Sequence, residues 1–287
     1  MNRKQWGWIR VAALSSILPA VLFALLFWPL LSLGLQSLAG DAGEITFERY
    51  RAVLADRRYF DSLVNTLLIS LFSTLIALIV GVPSAIYVEG RRGRDRKILA
   101  VLLTIPLSLP GIVIGFFIII AFGLAGVVPK LVEFITGERA LSFAYTFYGM
   151  LLGYVYFQIP RVVLTLRGAV SNISRDAIDA AKTLGASTFQ TYVHIIIPTL
   201  KPSIVSAASL SMATGFGAFG TAATLSRGYR VIPLEIAAAF TENFQPRLAG
   251  AMSLILVAIT ASMLFGIAHI GALGENRSLG GKGAHMQ

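Results

Sequence analysis

The sequence contains no cysteine, which excludes disulfides, thiolate metal sites and a cysteine nucleophile. Charge is scarce as well. Only 13% of the residues are Asp, Glu, Lys or Arg, against about 25% in ordinary soluble domains. That is too little to cover a water-soluble body of 287 residues. Histidine occurs three times, at His194, His269 and His285, with no spacing that suits metal ligands, so no metal site is expected. No G-x-x-x-x-G-K-[ST] run is present, so the chain has no P-loop to cradle a nucleotide. No Ser/His/Asp arrangement or pair of carboxylates occupies a plausible site. The chain therefore offers no catalytic residue and reads as a non-enzyme that holds no cofactor of its own.

What is abundant is apolar surface. Hydrophobic residues make up 56% of the chain, and mean hydropathy is +0.75. Six charge-free stretches run over 11–38, 63–88, 98–128, 141–160, 203–225 and 248–273. Each is about 20 residues or longer, enough at about 1.5 Å per residue to cross a hydrocarbon core about 30 Å thick. None carries the polar stripe of a soluble core helix. The expected fold is all-α: a polytopic membrane protein with six transmembrane helices in a lipid bilayer. The formal charge of +10 then belongs to loops that set orientation, and no nucleic-acid partner is expected.

The first apolar run follows Asn2, Arg3 and Lys4 and is too long for a signal-peptide core, so it reads as an uncleaved anchor. With the N-terminus inside, fifteen of the 24 Lys and Arg fall on the cytoplasmic side, five of them within Arg91–Lys97. Arg161 and Arg167 are counted there, because Pro160 is taken to close the fourth stretch. Both termini are thus expected in the cytoplasm. Residues 1–59 read as an extra helix and outer connector, 60–272 as the main membrane domain and 273–287 as a polar cytoplasmic tail without structure. With no Asp, Glu, Lys or Arg inside the stretches, a proton-driven carrier is disfavoured, whereas a sodium-coupled carrier or channel acting alone stays open.

The longest inside loop, 171–202, has the grammar of two short helices. Ser174 suits a cap with Asp176 in the first turn. Asp179, Ala180 and Ala181 continue the helix, and Gly185 permits a left-handed stop. Ser187 and Gln190 fit a capping box for a second helix, and Pro198 is expected to break it. An interfacial connector lying on the membrane has the same grammar. The spacing Asp179-Ala180-Ala181, three residues, Gly185, nine residues, Ile195, one residue, Ile197-Pro198 closely resembles the EAA motif, E-A-A-x3-G-x9-I-x-L-P, of the permease subunits of binding-protein-dependent ABC importers. Asp179 replaces Glu and Ile197 replaces Leu. The likeness extends over about residues 60–272 and includes Asn65-Thr66, Pro106 and Pro110.

This resemblance implies a type I importer permease of a bacterial inner membrane, alternating between inward-open and outward-open states. Its implied partners are a separate P-loop ATPase subunit that binds ATP, a second permease (sister or identical), and a periplasmic or extracellular solute-binding protein. Asp179 would be the polar contact to the ATPase, Ala180 and Ala181 its close-packing surface, Gly185 the turn and Pro198 the end of the second helix. Asn65, Gln158, Gly215, Phe216 and Phe219 are candidates for the transport pathway, each with helix packing as its rival reading. Ile232–Ile236 with the alanines after it reads either as a short helix on the outer face that touches the receptor, with Glu235 and Glu242 as candidate partners for a cationic patch, or as a solvated loop, which is the simpler reading. The stretch Gly217–Leu225 with Ile232–Ile236 is similar to the spermidine and putrescine branch, which implies a polyamine substrate. Iron(III), opines and 2-aminoethylphosphonate are the alternatives that this resemblance brings.

Overall fold

The computed structural model describes residues 3–40, 44–91 and 93–280. Among the described residues the regular structure is helical, with one isolated bridge between Ala39 and Ile45. Six segments are long and apolar enough to cross a membrane: Val21–Leu38, Arg57–Gly90, Gly111–Thr136, Phe147–Ser171, Thr188–Phe216 and Pro246–His269. The expected all-α architecture with six membrane helices is the one observed. Asn2 and residues 281–287 lie outside the described residues, but the expected unstructured tail is helical as far as Gly280. No proline interrupts it, and extending an existing helix costs far less than nucleating one.

The chain forms two compact units. The first comprises residues 1–60 and 236–255. Helix α1 (Arg3–Leu38) is followed by α2 (Glu48–Ala55). The Ser37 and Tyr50 hydroxyls share a hydrogen bond of 2.6 Å, and Arg49 Nη1 donates to the Ala39 carbonyl at 2.7 Å. A Cβ at Gly34 or Gly250 would touch Leu254 or the Leu33 backbone, so helices meet here through small residues.

The second unit, residues 61–235 and 256–287, holds the core. Its frame is α3 (Arg57–Gly90), α7 (Phe147–Ser171) and α10 (Ile197–Phe216). Ala77, Val82, Val162, Leu166, Leu200 and Ala207 pack in one apolar cluster. Val162 fits against the bare backbone of Gly81, where a Cβ would lie 2.6 Å from it. One polar knot interrupts the apolar packing. Gln158 Nε2 donates to Ser73 Oγ at 3.0 Å, and Thr74 Oγ1 lies 3.4 Å from Gln158 Oε1.

Three expected boundaries are corrected. The third stretch is not one helix: α4 (Gly93–Ser108) stops before Pro110, and α5 (Gly111–Phe122) starts after it. Proline disfavours the helical region for the residue before it, Leu109, and brings no N–H of its own. A turn then leads to α6 (Val127–Thr136). The fourth stretch does not end at Pro160, because α7 runs through it to Ser171 and places Arg161 and Arg167 inside a helix. In membranes, neighbouring packing tolerates such a proline. The fifth stretch is also broken. Ala218, at φ −76° and ψ 68°, makes an inverse γ-turn in which Phe219 N–H donates to the Gly217 carbonyl at 2.8 Å, before α11 (Phe219–Leu225) begins.

Candidate functional site

The 171–202 segment begins with α8 (Arg175–Thr183), capped by Ser174 Oγ, which accepts from Ala177 N–H at 3.3 Å. Its end is a Schellman turn. Gly185 N–H donates to the Lys182 carbonyl at 2.9 Å and Ala186 N–H to the Ala181 carbonyl at 3.0 Å. Gly185 sits at φ +82°, where a side chain would be strained although nothing lies within 4 Å of its Cβ position. Ser187 and Gln190 close the expected capping box, at 2.8 and 3.2 Å, over α9 (Thr188–Thr191).

Pro198 does not end this second helix. The chain passes through a π-turn, Tyr192–Ile196, in which Ile197 N–H reaches back to the Tyr192 carbonyl, and continues as α10 with Pro198 in its first turn. The widened turn lets the helix absorb a residue that offers no N–H. The second helix is therefore the start of a membrane span. Asp179 and Ala180 are exposed and Ala181 half-buried. Asp179 lies 3.6 Å from Lys182, an exposed pair of little energetic weight. Beside the Gly185 turn, Leu184 is 88% and Phe189 77% exposed, and a cavity of about 440 Å³ opens between Ala181, Gly185, Gln190 and His194.

Within the membrane region, the breaks at Pro110 and Gly217 lie side by side. A Cβ on Gly111 would come within 2.9 Å of Thr221 N, and one on Gly220 within 3.0 Å of Ile112 N, so the two backbones touch. Thr221 Oγ1 donates to the Gly111 carbonyl at 3.1 Å, and Tyr154 OH donates to the Ala218 carbonyl at 3.1 Å. These bonds tie the start of α5 to α11 and the turn at Ala218 to α7. Around this crossing lies a cavity of about 310 Å³, whose lining includes Pro106, Phe157, Arg161, Thr214 and Phe219.

Of the pathway candidates, Phe219 reaches this cavity. Gln158, Gly215 and Phe216 are buried in packing, with Gly215 held against Ser70 and Gln158. Asn65 Nδ2 donates to the Arg230 carbonyl at 2.9 Å, while Thr66 Oγ1 accepts from Ile232 N–H at 2.9 Å. The Asn65-Thr66 pair thus pins the loop that precedes α12 (Ile232–Thr241). Burial raises the pKa of the Tyr229 phenol in that loop. The 232–236 segment is helical, so of its two readings the short helix holds and the solvated loop does not. Glu235 is 6% exposed with Arg230 at 4.0 Å, and Glu242 is exposed.

Two groups were missed in the sequence. Arg161 lines the cavity from within a span. Glu89, 8% exposed at the end of α3, takes Arg167 of α7 at 2.5 Å and also Arg96 of α4. Beside it a pocket of about 220 Å³ includes Ile173, Ile178 of α8 and Ile196. No local sequence signal joins Glu89 to Arg167, which stand 78 positions apart.

Residues 73–271 match the family described as binding-protein-dependent transport system inner membrane component. The chain belongs to this family. The match takes in both helix breaks, the cavity and the whole 171–202 segment, and leaves α1 and α2 outside it. The permease is 28% identical over 234 residues to the molybdenum transport system permease protein ModB of Mycobacterium bovis, covering 80% of this chain and 86% of that one. It is 26% identical over 219 residues to PhnU of Salmonella typhimurium, named for 2-aminoethylphosphonate transport, covering 75% and 77%. In fold it is similar to a bacterial ABC transporter involved in import of the acidic polysaccharide alginate, with a TM-score of 0.78 at 16% identity, over 94% of this chain and 99% of that one. The permease is thus an inner-membrane, multi-pass subunit of an ABC importer, with the type I fold. The spermidine and putrescine branch is not the one these relatives represent.

Proposed function

We propose that this permease carries a small oxyanion, molybdate or a phosphonate such as 2-aminoethylphosphonate, from an outer receptor into the cytoplasm by alternating access. A separate P-loop ATPase drives it by docking on the 171–202 segment. The observation that carries this reading is the coupling surface: Leu184 and Phe189 stand out on either side of the Gly185 turn, on a segment whose second helix runs straight into a membrane span. A motion imposed on that surface passes into α10 without a flexible joint. Asp179 offers the polar contact, Ala180 and Ala181 the close approach, and both termini lie in the cytoplasm. ATP is held by the partner, so no cofactor is needed in this chain. The second permease is a sister chain or a second copy.

The substrate class rests on the relatives named for molybdenum and 2-aminoethylphosphonate transport. Among the described residues no carboxylate lines the membrane cavity, so a polycation finds no counter-charge from them there. A carrier acting alone on sodium has no support in the family match. The test is purification of the tagged chain in mild detergent with identification of what accompanies it. A P-loop ATPase and a receptor that binds molybdate or a phosphonate are expected. A chain recovered alone and transporting without ATP contradicts the proposal.

A further inference from the structure

We infer that Arg161 is the anion contact of the membrane passage: its guanidinium holds the travelling oxyanion in the cavity between the two helix breaks. This rests on the oxyanion reading above. Arg161 sits in α7 at about 21 Å from Phe147 and about 15 Å from Ser171, counting about 1.5 Å per residue. A charge at that depth is costly to keep and is retained for a function or a partner. Arg167, six positions on, has its partner in Glu89. Arg161 has none: among the described residues no carboxylate pairs with it.

The other use of such a residue is to reach for the lipid headgroups at the nearer helix end. Its direction argues against that. The guanidinium carbon lies 5.8 Å from the ring centre of Phe157, one turn back towards Phe147 and away from Ser171. It also lines the cavity. The remaining donors there are already engaged, since Thr214 Oγ1 donates to the Leu210 carbonyl and Thr221 Oγ1 to the Gly111 carbonyl. That leaves the guanidinium as the side chain with hydrogen bonds to give. Its planar fork suits two oxygens of a tetrahedral oxyanion. Pro106, Leu107, Phe157 and Phe219 supply apolar side chains to the wall, and Thr214, Thr221 and the backbone of Gly111 and Gly220 supply polar surface beside the guanidinium. The volume of about 310 Å³ is that of about ten waters at about 30 Å³ each, room for a small ion with part of its hydration shell.

Because the chain has no cysteine, Thr214→Cys introduces its one thiol, in the cavity wall. In membranes holding the whole importer, its modification by an anionic and a cationic methanethiosulfonate is followed by mass, and the rate ratio is compared with that of a small free thiol. The expected ratio is about tenfold above the free thiol in favour of the anionic reagent. Millimolar molybdate, sulfate or 2-aminoethylphosphonate is expected to slow the reaction. Arg161→Gln abolishes the ratio and the protection, and Arg161→Lys restores the ratio. A ratio is insensitive to a general change in accessibility, so a loosened fold does not mimic the result. An unchanged ratio in Arg161→Gln, or protection by none of the anions, overturns the inference. The importer reading fails on a different result, the absence of an ATPase from the purified complex, which leaves these rates as they are.

Discussion

At the residue scale, two positions carry opposite kinds of constraint. Gly185 is surrounded by space, so only its backbone angle restricts it. Placing Leu there costs about 1–2 kcal/mol of left-handed strain. Gly185→Leu is expected to insert normally but to hydrolyse ATP with little uptake, whereas Gly185→Asn, which tolerates that angle, retains most of the coupling. Parallel ATPase and uptake assays on the same vesicles check this, and normal uptake by the Leu variant contradicts it. Glu89 is constrained by its partners. Glu89→Gln leaves Arg167 facing a neutral group in a mostly buried place, at a cost of about 1–3 kcal/mol. Glu89→Leu combined with Arg167→Met removes both charges and is expected to melt closer to the parent than Glu89→Gln does. Thermal unfolding in detergent reads the difference, and equal losses in both variants contradict it.

At the element scale, the glycines that cross at the two helix breaks allow α5 and α11 to touch backbone to backbone. Gly111→Val forces side-chain carbon against Thr221 and is expected to destabilise the permease by about 1–3 kcal/mol, visible as a lower unfolding temperature in detergent. Hydropathy made the spans legible because lipid imposes length and apolarity on any helix that crosses it. Ser187, Gln190 and Gly185 were legible because caps and left-handed turns are local chemistry. The breaks were not, since hydropathy does not change where a helix stops and restarts inside the membrane. Pro110 was the available sign. Pro160 and Pro198 misled in the other direction. In water a mid-helix proline usually ends the helix, but in α7 packing and before α10 a π-turn carry the chain past it. Reading Pro160 as a stop is what placed Arg161 in a loop. The Asn65-Thr66 pair was visible in the sequence, but its role in holding the 229–232 loop needs contacts about 165 positions away in the chain.

At the scale of the whole molecule, the permease is a converter. In the proposed mechanism a surface at 171–202 receives motion and α10 transmits it, while paired helix breaks surround a cavity lined in part by Arg161. The central claim is that an ATPase on that surface drives an oxyanion through the bilayer. The most direct measurement is uptake of radiolabelled molybdate into proteoliposomes that hold the permease with its ATPase and receptor. The account predicts accumulation with ATP and none with a non-hydrolysable analogue, with competition by an oxyanion and not by spermidine. Accumulation without ATP, or competition by spermidine alone, would contradict it.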